Sequence, residues 1–92
     1  MVEYKIVGGT IPEIKILTSL SSKFGQLPQQ FKDSPHVWHS PNNDYAIGFE
    51  GEKINGRRLM VNCIYVYAEE NRRKEIKEHL EKLCEGDELS LK

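Results

Sequence analysis

The dipeptide Asn55-Gly56 constrains the fold of this chain more than any other feature, because it lies between two stretches of alternating apolar and polar residues. Together these stretches run from Asp44 to Ala68. A type I′ turn requires positive φ angles at both of its central residues, and Asn and Gly tolerate such angles best. The sequence therefore predicts a long antiparallel hairpin that turns at Asn55-Gly56.

The turn also predicts how the two strands pair. If Ile54 pairs with Arg57, the cross-strand pairs are Tyr45 with Val66, Ile47 with Ile64, Gly48 with Cys63, and Phe49 with Asn62. The residues expected on one face are Tyr45, Ile47, Phe49, Ile64 and Val66. Those expected on the other face are Ala46, Gly48, Val61, Cys63, Tyr65 and Tyr67.

The second strand, Leu59 to Ala68, is apolar on both faces, which is typical of a central strand covered on both sides. We expect helices over one face. The other face then requires either the long loop that precedes the hairpin or another subunit.

The first helix is predicted from about Pro12 to Phe24. Thr10 as N-cap and Glu13 three residues later form a capping box, and proline is tolerated in a first turn. Gly25 supplies a left-handed end.

A second helix is predicted from a cap at Asn71 to Gly86. Its apolar stripe consists of Ile76, Leu80, Leu83 and Cys84. Alternation also predicts a first strand over residues 2–7 and a closing edge strand over residues 88–92.

The segment Gln26 to Asn43 contains Pro28, Pro35 and Pro41, and it is predicted to be a long ordered loop with a short strand around His36 to His39. The resulting element order, βαββαβ, predicts an α+β fold. It is the ferredoxin-like split βαβ sandwich, a four-stranded, mainly antiparallel sheet with two helices on one face. Residues 1–92 are expected to form a single domain. Many unrelated functions use this topology, so it does not identify one.

The charge balance gives no general attraction to nucleic acid or to an anionic membrane, because 13 Lys and Arg stand against 14 Asp and Glu. The N-terminus lacks the apolar core of a signal peptide, and no stretch approaches the ~20 apolar residues of a membrane span. We therefore expect a cytoplasmic protein with no membrane partner. Cys63 and Cys84 are expected to be free buried thiols, and a single bridge stays open as an alternative if the last helix packs over the hairpin.

The histidine pattern does not predict a metal site. Residues three apart in a strand point to opposite faces, which separates His36 from His39. No nucleophile motif surrounds any serine or cysteine, so no catalytic residue, metal or cofactor is expected. A small enzyme that uses the loop from His36 to Asp44 remains one alternative.

Two groups of residues are candidates for ligand contact. Gly8, Gly9 and Thr10 lie between a strand and a helix start, where free N–H groups bind anions. The second group is basic and occupies the hairpin tip and the start of the last helix: Lys53, Arg57 and Arg58, with Arg72, Arg73 and Lys74. The two basic clusters lie at opposite ends of a strand roughly 33 Å long, so only a dimer would join them.

The leading hypothesis is a small non-enzymatic binding or regulatory module that acts as a homodimer through its sheet. It depends on the doubly apolar second strand and on the absence of a catalytic motif. The alternative is a nucleic-acid-binding protein that uses the Arg57-Arg58 tip. Trp38, Tyr65 and Tyr67 would then be its stacking platforms.

Overall fold

The computed structural model describes all of residues 1–92 and contains seven β-strands and two α-helices. The elements are β1 (Val2–Val7), β2 (Ile11–Pro12), α1 (Glu13–Phe24), β3 (Gln29–Phe31), β4 (Ser34–His39), β5 (Tyr45–Ile54), β6 (Arg58–Ala68), α2 (Glu70–Gly86) and β7 (Ser90–Leu91). Six strands form one sheet in the order β3-β4-β5-β6-β1-β7, and β2 also pairs with β6. All pairings are antiparallel. Neither helix is long and apolar enough to cross a membrane.

The predicted four-stranded ferredoxin-like sheet is wrong, because the sheet has seven strands. The segment predicted to be a loop with a short strand around His36 to His39 contains that strand, as β4, and also β3, and the two strands extend the sheet beyond β5. Its prolines do not prevent pairing. Pro28 precedes β3, Pro41 follows β4, and Pro35 lies at an irregular position with no paired partner. Proline is tolerated at such positions because no ladder hydrogen bond is required of it.

The short strand β2, which was not predicted, makes α1 begin later than the capping box predicted. Ile11 pairs with Val61 and is only 1% exposed, so this segment belongs to the sheet. The helix begins at Glu13 with Pro12 as its cap and no side-chain cap bond, and the predicted capping box at Thr10 is therefore wrong. The end of the helix agrees with the prediction, since Gly25 has a φ of 75°.

Both helices pack on the same face of the sheet and enclose one hydrophobic core. The helix residues buried there are Ile16, Leu17, Leu20, Ile76, Leu80 and Cys84. The strand residues predicted to share a face, Tyr45, Ile47, Phe49, Ile64 and Val66, are all buried against them. The last helix begins at Glu70, just before the predicted cap at Asn71, and ends at Gly86 as predicted.

The hairpin turn is confirmed, with φ angles of 54° at Asn55 and 67° at Gly56. The predicted pairing is wrong. Ile54 pairs with Arg58, and a bulge between Glu50 and Gly51 shifts the register further. Beyond the bulge the pairs are Ile47 with Val66, Gly48 with Tyr65, and Phe49 with Ile64. The observed pairs there lie two residues from the predicted ones, and side chains alternate with a period of two. The residues beyond the bulge therefore keep their predicted faces. On the turn side of the bulge the shift is one residue, so Val61, predicted on the face with Cys63, is instead buried in the core.

Candidate binding surfaces

The sheet face opposite the helices has no cover within the chain, and we call it the open face. It includes Glu3 and Lys5 of β1, which pair with Tyr65 and Cys63 of β6. It continues through Gly48 to Val37, and through Ala46 to His39, in β5 and β4. The β3–β4 hairpin lengthens the sheet sideways and does not fold over this face.

The centre of the open face is a polar cluster around Cys63. The Cys63 thiol donates to Glu3 Oε2 over 3.4 Å, and the Tyr65 hydroxyl donates to Glu50 Oε2 over 2.8 Å. Burial raises the pKa of Cys63, and hydrogen bonds with Cys63 and Glu50 raise the pKa of Tyr65 well above its ordinary value. Both groups keep their protons at neutral pH, so neither is an activated nucleophile.

One end of the open face is aromatic. Phe31 packs on the His39 ring with centroids 4.8 Å apart, and Tyr67 lines the same shallow cavity. Phe31 is 43% exposed and Tyr67 is 45% exposed. The predicted platforms Tyr65 and Tyr67 therefore lie on one surface, but carboxylates of Glu3 and Glu50 flank Tyr65.

The third predicted platform, Trp38, lies on the helix side of the sheet. Its Nε1 donates to Glu13 Oε2 over 3.3 Å, and His36 Nδ1 lies 3.0 Å from the same oxygen. Glu13, the first residue of α1, thus joins β4 to the helix layer. Because His36 faces the helices and His39 faces the open side, the loop of the enzyme alternative does not bring its two histidines together.

The two basic clusters are separated in the way the strand length predicts. Arg57, Arg58 and Lys53 are exposed at the hairpin tip, where β6 begins, and the other cluster follows the end of β6. Arg72 makes ion pairs of 2.8 Å with Asp44 and 2.9 Å with Glu75. Its guanidinium also lies 4.7 Å from the centre of the Phe24 ring.

The other two cations of that cluster, Arg73 and Lys74, make no ion pair. Arg72 is committed to contacts within the chain, which leaves only Arg73 and Lys74 for a ligand at this end of β6.

The predicted anion-binding segment Gly8-Gly9-Thr10 is separated from the helix by β2. The N-terminal end of α1 therefore does not supply free N–H groups to these residues. The predicted anion site assumed that a helix begins directly after them, and this assumption is wrong. Gly9 instead packs closely under Leu89, where an added Cβ would lie 3.0 Å from the leucine side chain.

A polar cleft that the sequence did not predict lies where β5 begins and β6 ends, and we call it the corner cleft. Tyr45 pairs with Ala68, so their neighbours Asp44 and Glu69 come together beside the start of α2. The cleft has a volume of about 430 Å³ and contains no hydrophobic residue. Its lining consists of Asn42, Asn43, Asp44, Glu69, Asn71, Arg72 and Glu75. The only signal in the sequence is the polar run before β5, because Asn71 and Glu75 are distant along the chain.

A smaller cavity of about 80 Å³ adjoins the corner cleft and shares Asn42, Asp44 and Arg72 with it. Tyr45 lines this cavity. The residue is only 4% exposed, and its hydroxyl has no hydrogen-bond partner. Burial raises the pKa of Tyr45, and the nearby Asp44 charge adds to the effect. The phenol is therefore a neutral group that can both donate and accept a hydrogen bond.

The chain places no group of three or more His, Cys, Asp or Glu side chains where they could hold a metal ion. Cys63 and Cys84 are both unpaired and buried, as predicted.

No family model, curated protein or solved structure matches this chain.

Proposed function

We propose that this protein is a small, non-enzymatic cytoplasmic binding or regulatory module that acts as a homodimer, formed by packing the open faces of two copies. The observation that carries the proposal is the position of the β3–β4 hairpin, which extends the sheet and leaves its second face bare. Phe31 and Tyr67 present aromatic surface there. Its removal from water would favour association.

A second copy suits the open face better than a strongly charged partner does. Glu3, Glu50 and Lys5 lie together near the centre of the face, around one shallow cavity. In a two-fold arrangement the same patch meets itself, so the Lys5 ammonium of one copy can approach a carboxylate of the other. The net charge of -1 adds little repulsion between copies.

The area of the face sets the expected strength. Five strands about 4.8 Å apart, each paired over about 20 Å, present about 500 Å² per copy. Two copies would bury about 1,000 Å² in total, which is near the lower limit for a specific interface. We therefore expect a weak dimer with a dissociation constant in the micromolar range.

Sedimentation equilibrium over a range of micromolar concentrations tests this proposal. The wild-type chain should shift from monomer to dimer, and Tyr67→Glu should remain a monomer because it would bury a charge in the interface. Ile14→Glu is the matched control, since Ile14 is an exposed apolar residue on the helix layer at 63% exposure. A monomer at every concentration, or equal loss of dimer in both variants, would contradict the proposal.

The nucleic-acid alternative keeps one supporting feature, the three exposed cations at the hairpin tip. The carboxylates beside Tyr65 would repel phosphates on the open face, so the tip would have to bind without that stacking platform. Binding to a mixed oligonucleotide should then weaken steeply with salt, and Arg57→Ala with Arg58→Ala should reduce the slope by about two. Absence of binding at low salt would remove this alternative.

A further inference from the structure

The corner cleft is lined by planar hydrogen-bonding groups and by nothing else. Three are amides, three are carboxylates and one is a guanidinium. None of the three amide side chains makes a hydrogen bond within the chain. The lining thus offers many donors and many acceptors at a short distance from one another.

The lining carries three carboxylates and one guanidinium, which disfavours an anion, and two of the carboxylates are already paired with Arg72. An anion would meet the carboxylates of Asp44, Glu69 and Glu75. A cation would find Asp44 and Glu75 already paired with Arg72, and the remaining carboxylate, Glu69, lies at the N-terminal end of α2, whose unpaired N–H groups oppose positive charge. A neutral ligand with many hydroxyl groups avoids both conflicts.

The Tyr45 hydroxyl provides an independent sign that a polar group belongs here. Tyr45 lines the adjoining cavity beside Asp44 and Arg72, and its buried hydroxyl has no hydrogen-bond partner within the chain. An unpaired buried hydroxyl is costly, and most such groups in folded proteins have a partner. A ligand hydroxyl that reaches past the Asp44–Arg72 ion pair would supply one.

We propose that the corner cleft binds a neutral polyhydroxylated ligand, a saccharide. Each sugar hydroxyl both donates and accepts, so it can bond a carboxylate and an amide or backbone N–H at the same time. A cleft of about 430 Å³ has room for a small ligand of this kind. The cleft lies at the end of the sheet beside the start of α2, and it shares Asn43, Asp44 and Glu69 with the cavity of Phe31 and Tyr67 at the edge of the open face.

Proton–nitrogen correlation NMR of the labelled protein tests the proposal. The probes are glucose, galactose, mannose and maltose, each titrated to about 50 mM, above the millimolar dissociation constant expected of a shallow polar site. At least one sugar should saturably shift the amide signals of residues 42–44 and 69–72. Putrescine and inorganic phosphate, titrated in the same way, represent the cationic and anionic alternatives.

Two variants locate the site. Tyr45→Phe removes one hydroxyl and keeps the ring that packs on Phe24 at 5.5 Å, and Asn71→Ala removes an exposed amide. Each should weaken sugar binding about fivefold, the effect of one hydrogen bond. Tyr65→Phe is the control, because it removes a hydroxyl from the open face and should leave sugar binding unchanged.

The proposal is overturned if no sugar gives a saturable shift, or if only putrescine or phosphate does. It is also overturned if both site variants bind sugar as the wild type does. Because the dimer is measured separately and without sugar, failure of one proposal is distinguishable from failure of the other.

Discussion

Gly51 lies at the bulge that sets the register of the hairpin, and its replacement by alanine tests why the bulge needs a glycine. An added Cβ would overlap the Met60 carbonyl oxygen, and it would lie 2.8 Å from the Met60 carbonyl carbon and 2.9 Å from Val61 Cα. All three atoms belong to the backbone of β6, so no side-chain rotation relieves the contact. Ordinary contacts begin at 3.4 Å, and the overlap with the carbonyl oxygen is closer than the 2.8 Å contact with its carbon, so the strands would have to move well apart.

The cost of that separation follows from the overlap and from the ladder bonds that it lengthens. Overpacking in a tight site costs about 1–3 kcal/mol, and one weakened backbone hydrogen bond adds about 1 kcal/mol. We therefore expect Gly51→Ala to lower the free energy of unfolding by about 2–4 kcal/mol. For a chain of this size the melting temperature should fall by about 10–30 °C.

Urea denaturation followed by circular dichroism measures this change. The midpoint should fall while the m-value stays constant. Gly48→Ala is the matched control in the same strand, since its Cβ would make only an ordinary contact of 3.7 Å with Val37. This variant should be neutral or slightly stabilising. If Gly51→Ala lay within about 0.5 kcal/mol of the wild type, the close approach of the two backbones would not be the reason for the glycine.

Three further outcomes are expected. Glu13→Ala should cost about 1–3 kcal/mol and shift the fluorescence of Trp38, the single tryptophan, to longer wavelength, because two side chains lose their shared acceptor. Glu70→Ala is the control, because Glu70 is the exposed first residue of α2, and it should change neither the stability nor the fluorescence. Burial lowers the pKa of His79 below 6.5, and the charge of Lys23 adds to the effect. As the pH falls below 6.5, His79 is therefore protonated in the unfolded chain before it is protonated in the folded chain. Stability to urea should therefore decline as the pH falls below 6.5, and His79→Gln should show a smaller decline. Both thiols are buried with raised pKa values, so Ellman's reagent should label them only after denaturation; rapid labelling of the native protein would contradict their burial.

The outer hairpin and β2 show where local patterns were insufficient. Prolines normally mark loops, but those at residues 28, 35 and 41 fall at positions without ladder bonds. Pairing with β3 and β5 extends the short strand predicted around His36 to His39 to Ser34–His39. The Thr10 capping box was a sound local pattern as well. It failed because pairing of Ile11 with Val61 buries an isoleucine, which outweighs a cap worth about 1 kcal/mol.

The corner cleft was not predictable for a similar reason. Asp44 and Glu69 come together only because Tyr45 pairs with Ala68, and that pair depends on the bulge as well as on the turn. The predicted register placed Tyr45 opposite Val66 and would have moved Glu69 away from Asp44.

The sequence alone determined the turn at Asn55-Gly56, the two helices and, beyond the bulge, the hairpin residues that face the core. These features depend on short-range backbone preferences and on periodicity, which a shift of two residues does not change. Only the tertiary structure decided the bulge, the unpredicted strands β2 and β3 and the site where Asp44 meets Arg72. Such features depend on which strand edges are available for pairing and on how closely two backbones approach, and both are set by contacts between residues distant in the chain.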